Sequence, residues 1–180
     1  MSTSRPPSED DFRRLHERTS TRVYGYVRRH CDEADCDDVI DDVYLVAWRR
    51  FHELPSDPIP WLLGTARRVL ANLWRSRSRR ERLTAELAGV AQLAAPDCAT
   101  QAVERADLLT ALAAMSPNDR EILLLVGWDG LTSEGAAAAL GISRAAAHAR
   151  LSRARRRLAR QFEDAEPEAA PRLSPLTEGN

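Results

Sequence analysis

The chain has 180 residues, 43% hydrophobic and 29% charged, enough for one packed domain or two small ones. No apolar run is long enough for a bilayer span and Met1 to Glu9 lacks the apolar core of a secretory signal, so a cytoplasmic protein with no membrane insertion is expected. The formal net charge of −1 argues against nucleic-acid binding only if charge is evenly spread, and it is not.

Asp32 to Asp42 carries seven acids and no base, whereas Ser143 to Arg160 carries seven arginines and no acid. Every basic residue counted in the chain is Arg, which suits bidentate contacts to phosphate and guanine, although GC-rich codon usage accounts for most of that bias. Cys31, Cys36 and Cys98 form no disulfide framework and fit a reducing compartment. His30, Cys31 and Cys36 match no common zinc spacing and lack an evident fourth ligand, so no metal or cofactor is expected.

In chain order, nothing alternates as a strand does. A first helix is predicted from about Asp10 to His30, with Phe12, Leu15, Val23, Tyr26 and Val27 facing a core and Gly25 weakening its middle. A second runs from about Asp37 to Phe51. Its apolar side holds Ile40, Val43, Tyr44, Ala47 and Phe51, while Asp38, Asp42, Leu45 and Arg49 face away, with Asp41 at the edge. Pro55, Pro58 and Pro60 end it.

A third helix spans about Ile59 to Arg77, with Leu62, Ala66, Val69, Leu70 and Leu73 as its stripe and Trp74 assigned to the core margin. Trp61, Arg68, Asn72 and Arg75 share another strip, and Arg77, Arg79, Arg80 and Arg82 extend its positive field. Three such helices bury a common core up to about Leu83. Thr84 to Thr100 reads as a linker.

Leu108, Leu109, Leu112 and Met115 mark a further helix, and Ser116-Pro117 starts another, with Ser as cap and Pro at the first position. Thr132 caps a short helix to Leu140, Gly141-Ile142-Ser143 supplies a turn, and Ser143 caps the last helix. Ala147, Leu151, Ala154 and Leu158 form its packing stripe. The tail from Ala165 is expected to be disordered.

The chemistry follows from these faces. A basic helix behind a short helix and a glycine turn fits the major groove, with Arg144, His148, Ser152 and Arg153 toward bases, Arg150 flanking and Arg155 onward toward phosphate; the bland alternative is a solvated basic helix. Trp61, Arg68, Asn72 and Arg75 suit an unpaired strand, which is held by stacking and cations; Trp61 equally suits a plug at a domain edge. Leu45 amid acids suits a protein interface or an ordinary solvated face. No His-Glu-x-x-His, phosphate loop or nucleophile elbow occurs, so no enzyme is expected.

Four segments in order resemble the extracytoplasmic-function group of bacterial sigma factors, in the sigma-70 family. Asp37-Asp38-Val39-Ile40-Asp41-Asp42-Val43-Tyr44-Leu45-Val46-Ala47-Trp48-Arg49 is similar to the family's segment that docks on the polymerase clamp helices. Pro60-Trp61-Leu62-Leu63-Gly64-Thr65-Ala66-Arg67-Arg68 resembles the segment that opens the minus-ten element. Met115-Ser116-Pro117 through Leu125 resembles the start of the second domain, and Gly130-Leu131-Thr132 through Arg155 its helix-turn-helix for the minus-thirty-five element.

The resemblance implies an all-α protein of two small helical domains on a flexible linker: region 2 at 9–83, linker 84–103, region 4 at 104–162 and an acidic tail at 163–180. It implies Asp38, Asp41, Asp42, Leu45 and Trp48 as contacts to the beta-prime clamp helices of core RNA polymerase. Trp61, Arg67, Arg68, Asn72 and Arg75 fall to single-stranded minus-ten DNA; Arg144, His148, Arg150, Ser152, Arg153 and Arg155 to duplex minus-thirty-five DNA. An anti-sigma factor is the further implied partner, and nucleoid association the implied location when active.

The chain departs from the family at Asp41-Asp42, where Gln-Glu is common, and at Arg68, where many members have Asn. It departs again at Glu134-Gly135-Ala136, where Gly135 replaces an apolar residue at a helix cost of about 1 kcal/mol. The rival readings are a helix-turn-helix regulator acting on duplex operators without polymerase, and a metal-dependent nucleic-acid enzyme using the Asp37 to Asp42 acids.

Overall fold

The computed structural model describes residues 8–81, 108 and 110–163. Ser8 opens the first helix, α1 (Glu9–Arg28), its hydroxyl accepting from the Asp11 amide at 3.2 Å, with Glu9, Asp10 and Asp11 favoured by the positive helix end. Gly25 does not interrupt α1; among the described residues nothing lies within 4 Å of where its side chain would begin. The second helix, α2 (Glu33–Arg49), begins before the expected Asp37, because Glu33 and Asp35 suit a first turn. Phe51 falls in a 3-10 turn, Phe51–Glu53, and α3 (Ile59–Glu81) outruns its expected end.

Leu15, Val23 and Val27 of α1 meet Val39, Val43 and Ala47 of α2 and Leu62, Ala66 and Leu70 of α3. The buried Thr19 is satisfied twice, donating to the Leu15 carbonyl at 2.7 Å and pairing with the Tyr44 hydroxyl at 2.8 Å. Trp74 corrects the sequence reading: it is 46% exposed, not core. Val69, Leu73 and Ser76 face α2 across a groove, and at about 100° per residue Trp74 falls on the flank away from Val69 and Ser76.

The C-terminal half holds α4 (Pro117–Gly127), α5 (Ser133–Leu140) and α6 (Arg144–Glu163). Their caps are those expected: Ser116 accepts from the Asp119 amide at 3.3 Å, Thr132 from Gly135 at 3.0 Å and Ser143 from Ala146 at 3.1 Å. Gly141 closes α5 at φ 66°, a conformation that a side chain disfavours. Ile122, Leu125, Ala136, Leu140, Ala147, Leu151 and Ala154 are buried together.

The two halves do not stand apart. The helix pairing with the most extensive contact among the described elements is α3 on α5. A side chain on Gly64 would sit 3.0 Å from the Ala139 carbonyl oxygen, and one on Gly135 3.2 Å from Pro60 Cγ. Gly135, an apparent weakness of α5, therefore lets that helix approach the start of α3. The linker and tail, 84–103 and 163–180, lie outside the described residues except for the last residue of α6. No described helix is long and apolar enough to cross a membrane.

Candidate nucleic-acid interface

Leu45 is 44% exposed on α2 and stands with Asp38 and Asp42 along a groove of about 530 Å³, whose far wall is Val69 and Leu73 of α3. Asp41 is exposed beside it. Trp48 is only half-exposed and packs edge-on against Phe12, ring centroids 4.9 Å apart, so much of its surface is spent inside the fold. Arg77, counted with the basic strip, pairs instead with Asp35 and with Asp32 at 3.5 Å, fastening α3 to the start of α2.

Trp61, Arg68, Asn72 and Arg75 do share one strip of α3. Trp61 is half-buried with the Arg50 guanidinium 5.8 Å from its ring centroid; Arg68 is exposed and donates to Thr65 Oγ1 at 2.9 Å; Arg75 donates to Asn72 at 2.5 Å. Arg67 is apart from them. Its Nε lies 3.3 Å from Glu121 of α4. Asn72 also lines the α2–α3 groove, so the two faces of this half meet there.

On α6 the stripe of Ala147, Leu151 and Ala154 is buried, which turns Arg144, His148, Ser152, Arg153 and Arg155 outward; Arg150 is half-exposed. Arg144 pairs with Glu134 of α5 at 2.7 Å, and Arg157 reaches the buried Asp119 of α4. Ala145 and Ala149, both exposed, keep the outer surface of the first two turns small.

A charged seam joins the halves, and no local signal in the sequence marks it. Arg29 grips both carboxylate oxygens of Asp129, at 2.6 and 2.7 Å, with side-chain exposures of 15% and 4%. Arg22 donates to the Asp129 carbonyl, and the Tyr26 hydroxyl donates to Glu121 at 2.9 Å. Burial, reinforced by Glu121, pushes the Tyr26 hydroxyl far above the usual tyrosine range. Burial also raises the Asp129 carboxyl, against the pull of the Arg29 guanidinium that contacts both its oxygens. Among the described residues Arg29 Nε is buried without a hydrogen-bond partner.

Residues 15–80 match sigma-70 region 2, and residues 105–158 match sigma-70 region 4. The chain is 31% identical over 136 residues to the RNA polymerase sigma factor NccH of Alcaligenes xylosoxydans xylosoxydans, covering 70% of this chain and 72% of that one. The chain belongs to the sigma-70 family, in its extracytoplasmic-function group. It is 40% identical over 133 residues to the probable RNA polymerase sigma factor RfaY of Xanthomonas campestris pv. campestris, but that match covers 69% of this sigma factor and spans only 33% of RfaY. The fold is similar to that of the sigma factor RpoE of Bartonella quintana, solved with the anti-sigma factor NepR: TM-score 0.65, 24% identity, 86% of this chain and 98% of that one. A sigma factor is an initiation factor and not an enzyme.

His30 lies at the seam, its ring 4.4 Å from that of Tyr26 and its Nδ1 2.8 Å from the Tyr26 carbonyl. Burial lowers its pKa below the usual 6.5, against the pull of Glu121 and Asp129 and with that of Arg29. A lowered histidine is held neutral in the fold and takes its proton when released, so its contribution to stability is present above pH 6.5 and is lost as pH falls below it. The thermal midpoint of the factor is expected to drop on going from pH 7.5 to pH 5.5, and the drop to shrink in His30→Gln; equal drops in both would assign the effect elsewhere.

Proposed function

We propose that this sigma factor binds core RNA polymerase, directs it to particular promoters and promotes melting of the minus-ten element. The observation that carries the reading is the division of its surface. An acid-ringed leucine fronts a groove on α2, a Trp-Arg-Asn strip runs along α3, and an arginine face on α6 is turned outward by a buried alanine-leucine stripe. Residues 9–83 form the polymerase and minus-ten unit and 104–162 the minus-thirty-five unit, joined by the linker at 84–103.

Asp38, Asp41, Asp42 and Leu45 meet the basic and apolar clamp helices of the beta-prime subunit, with Trp48 contributing its exposed part. Acids around the leucine steer a basic partner; the leucine supplies the apolar anchor. Trp61, Arg68, Asn72 and Arg75 hold an unpaired strand, trading base stacking in the duplex for stacking and charge on α3. Arg67 joins them once Glu121 has left it. Arg144, His148, Ser152 and Arg153 read base edges, while Arg150 and Arg155 engage phosphate.

The two promoter elements are separated by about 25 base pairs, roughly 85 Å of duplex at about 3.4 Å per pair. Units in contact through α3 and α5 do not span that distance, so the seam opens when the factor works. The packed form is the resting one. An anti-sigma factor, the kind of partner seen with the structural relative, holds the factor by covering the same faces in the cytoplasm.

Two outcomes test the DNA assignments. Trp61→Ala is expected to slow promoter opening about tenfold while leaving duplex binding nearly unchanged, since stacking is worth about 1–3 kcal/mol per base; permanganate reactivity of the minus-ten thymines checks it, and equal losses in both steps would remove the single-strand role. Arg153→Ala is expected to lose about 1–3 kcal/mol at preferred minus-thirty-five sequences and little elsewhere. A uniform loss across sequences in a binding array would make Arg153 a phosphate contact.

A further inference from the structure

We propose that Cys31 and Cys36 form a redox-active dithiol that closes to an intramolecular disulfide by exchange with low-molecular-weight disulfides. The two sulfurs lie 3.2 Å apart, and both thiols are free. A disulfide needs about 2.05 Å, so the gap to be closed is little more than about 1 Å. The pair spans the connection between α1 and α2, Cys31 in the turn and Cys36 in the first turns of α2. Among the described residues no three His, Cys, Asp or Glu side chains are grouped to hold a metal ion.

The two thiols are unequal in a way that assigns roles. Cys31 is partly exposed and meets the incoming disulfide; Cys36 is 2% exposed and is reached only from within. The Cys31 thiolate attacks one sulfur of the reagent, forming a mixed disulfide and expelling one thiolate. Cys36, whose thiol otherwise donates to the Asp32 carbonyl at 3.3 Å, then attacks the Cys31 sulfur and expels the second. The protein pair gives up two electrons and two protons, and the reagent is reduced to two thiols.

Burial, then the adjacent Cys36 and the acids Asp35 and Asp32, push the Cys31 thiol up to about 12. Little thiolate is present at neutral pH, so exchange is slow there and accelerates as pH rises. The bond forms within the turn that carries Arg29 and His30, the residues that face Asp129 and Glu121 across the seam. The sulfur chemistry is independent of the polymerase and promoter assignments.

The experiment exposes the full chain to glutathione disulfide, blocks remaining thiols by alkylation and reads the tryptic peptide His30–Arg49, which contains both cysteines. The wild type is expected to give that peptide lighter by two hydrogens and unalkylated, about 30-fold faster at about pH 8.5 than at about pH 7. Cys36→Ser is expected to stop at a glutathione adduct on Cys31, and Cys31→Ser to leave Cys36 unmodified while the circular dichroism stays native. A wild-type peptide that still takes two alkyl groups in excess glutathione disulfide would overturn the proposal. So would a lasting glutathione adduct on Cys31 of the wild type, or a bond to Cys98.

Discussion

Leu45→Arg is expected to weaken binding to core RNA polymerase at least a hundredfold while leaving the helical fold intact. The side chain is 44% exposed and touches the groove, not the core, so its replacement strains nothing inside. Losing a buried leucine contact at an interface removes about 1.5–3 kcal/mol. A guanidinium facing a basic partner adds a like-charge penalty of up to several kcal/mol. Asp42→Arg is expected to act in the same direction, with a loss that shrinks as salt rises because Asp42 is exposed. Fluorescence anisotropy of labelled factor titrated with core enzyme checks both. Binding by Leu45→Arg equal to that of the wild type would move the docking face elsewhere.

Asp129→Arg is expected to release the C-terminal half from the N-terminal half without unfolding either. Asp129 is gripped by Arg29 and capped by Arg22, so the substitution brings a third guanidinium to a site where two already converge. Removing one partner of a buried ion pair costs about 3–5 kcal/mol, which exceeds a hundredfold in the ratio of packed to open forms. The radius of gyration from solution scattering is expected to rise. Affinity for a single-stranded minus-ten oligonucleotide is expected to rise with the open fraction, because Arg67 and the start of α3 are uncovered. Gly64→Val tests the same seam without charge, since its side chain would meet the Ala139 backbone at 3.0 Å. An unchanged radius of gyration in both variants would mean that the seam is not what holds the halves together.

Local signals made much of the fold legible. The caps at Ser116, Thr132 and Ser143 each satisfy an amide within three residues, and the stripe Ala147, Leu151, Ala154 follows helical spacing, so sequence distance and spatial distance agree. The seam had no such signal. Tyr26 and Glu121, or Arg29 and Asp129, are about a hundred residues apart, and nothing near either marks a buried ion pair against a solvated one. Gly135 looked like a flaw in α5 because helix propensity counts only the helix; its reason is Pro60 of the other half. Trp74 is exposed although its place beside the stripe suggests core, because an aromatic at a stripe's edge goes inward only if a neighbour covers that flank. Arg67 is assigned to the minus-ten strand by resemblance and Arg77 to the positive field beside it, yet each faces an acid on another helix.

The decisive measurement is run-off transcription with purified core polymerase on a randomised promoter library. Adding this factor is expected to start RNA chains from templates sharing two motifs at a fixed separation, and Leu45→Arg to start none. Core enzyme that initiates no differently with and without the factor would remove its promoter-directing role.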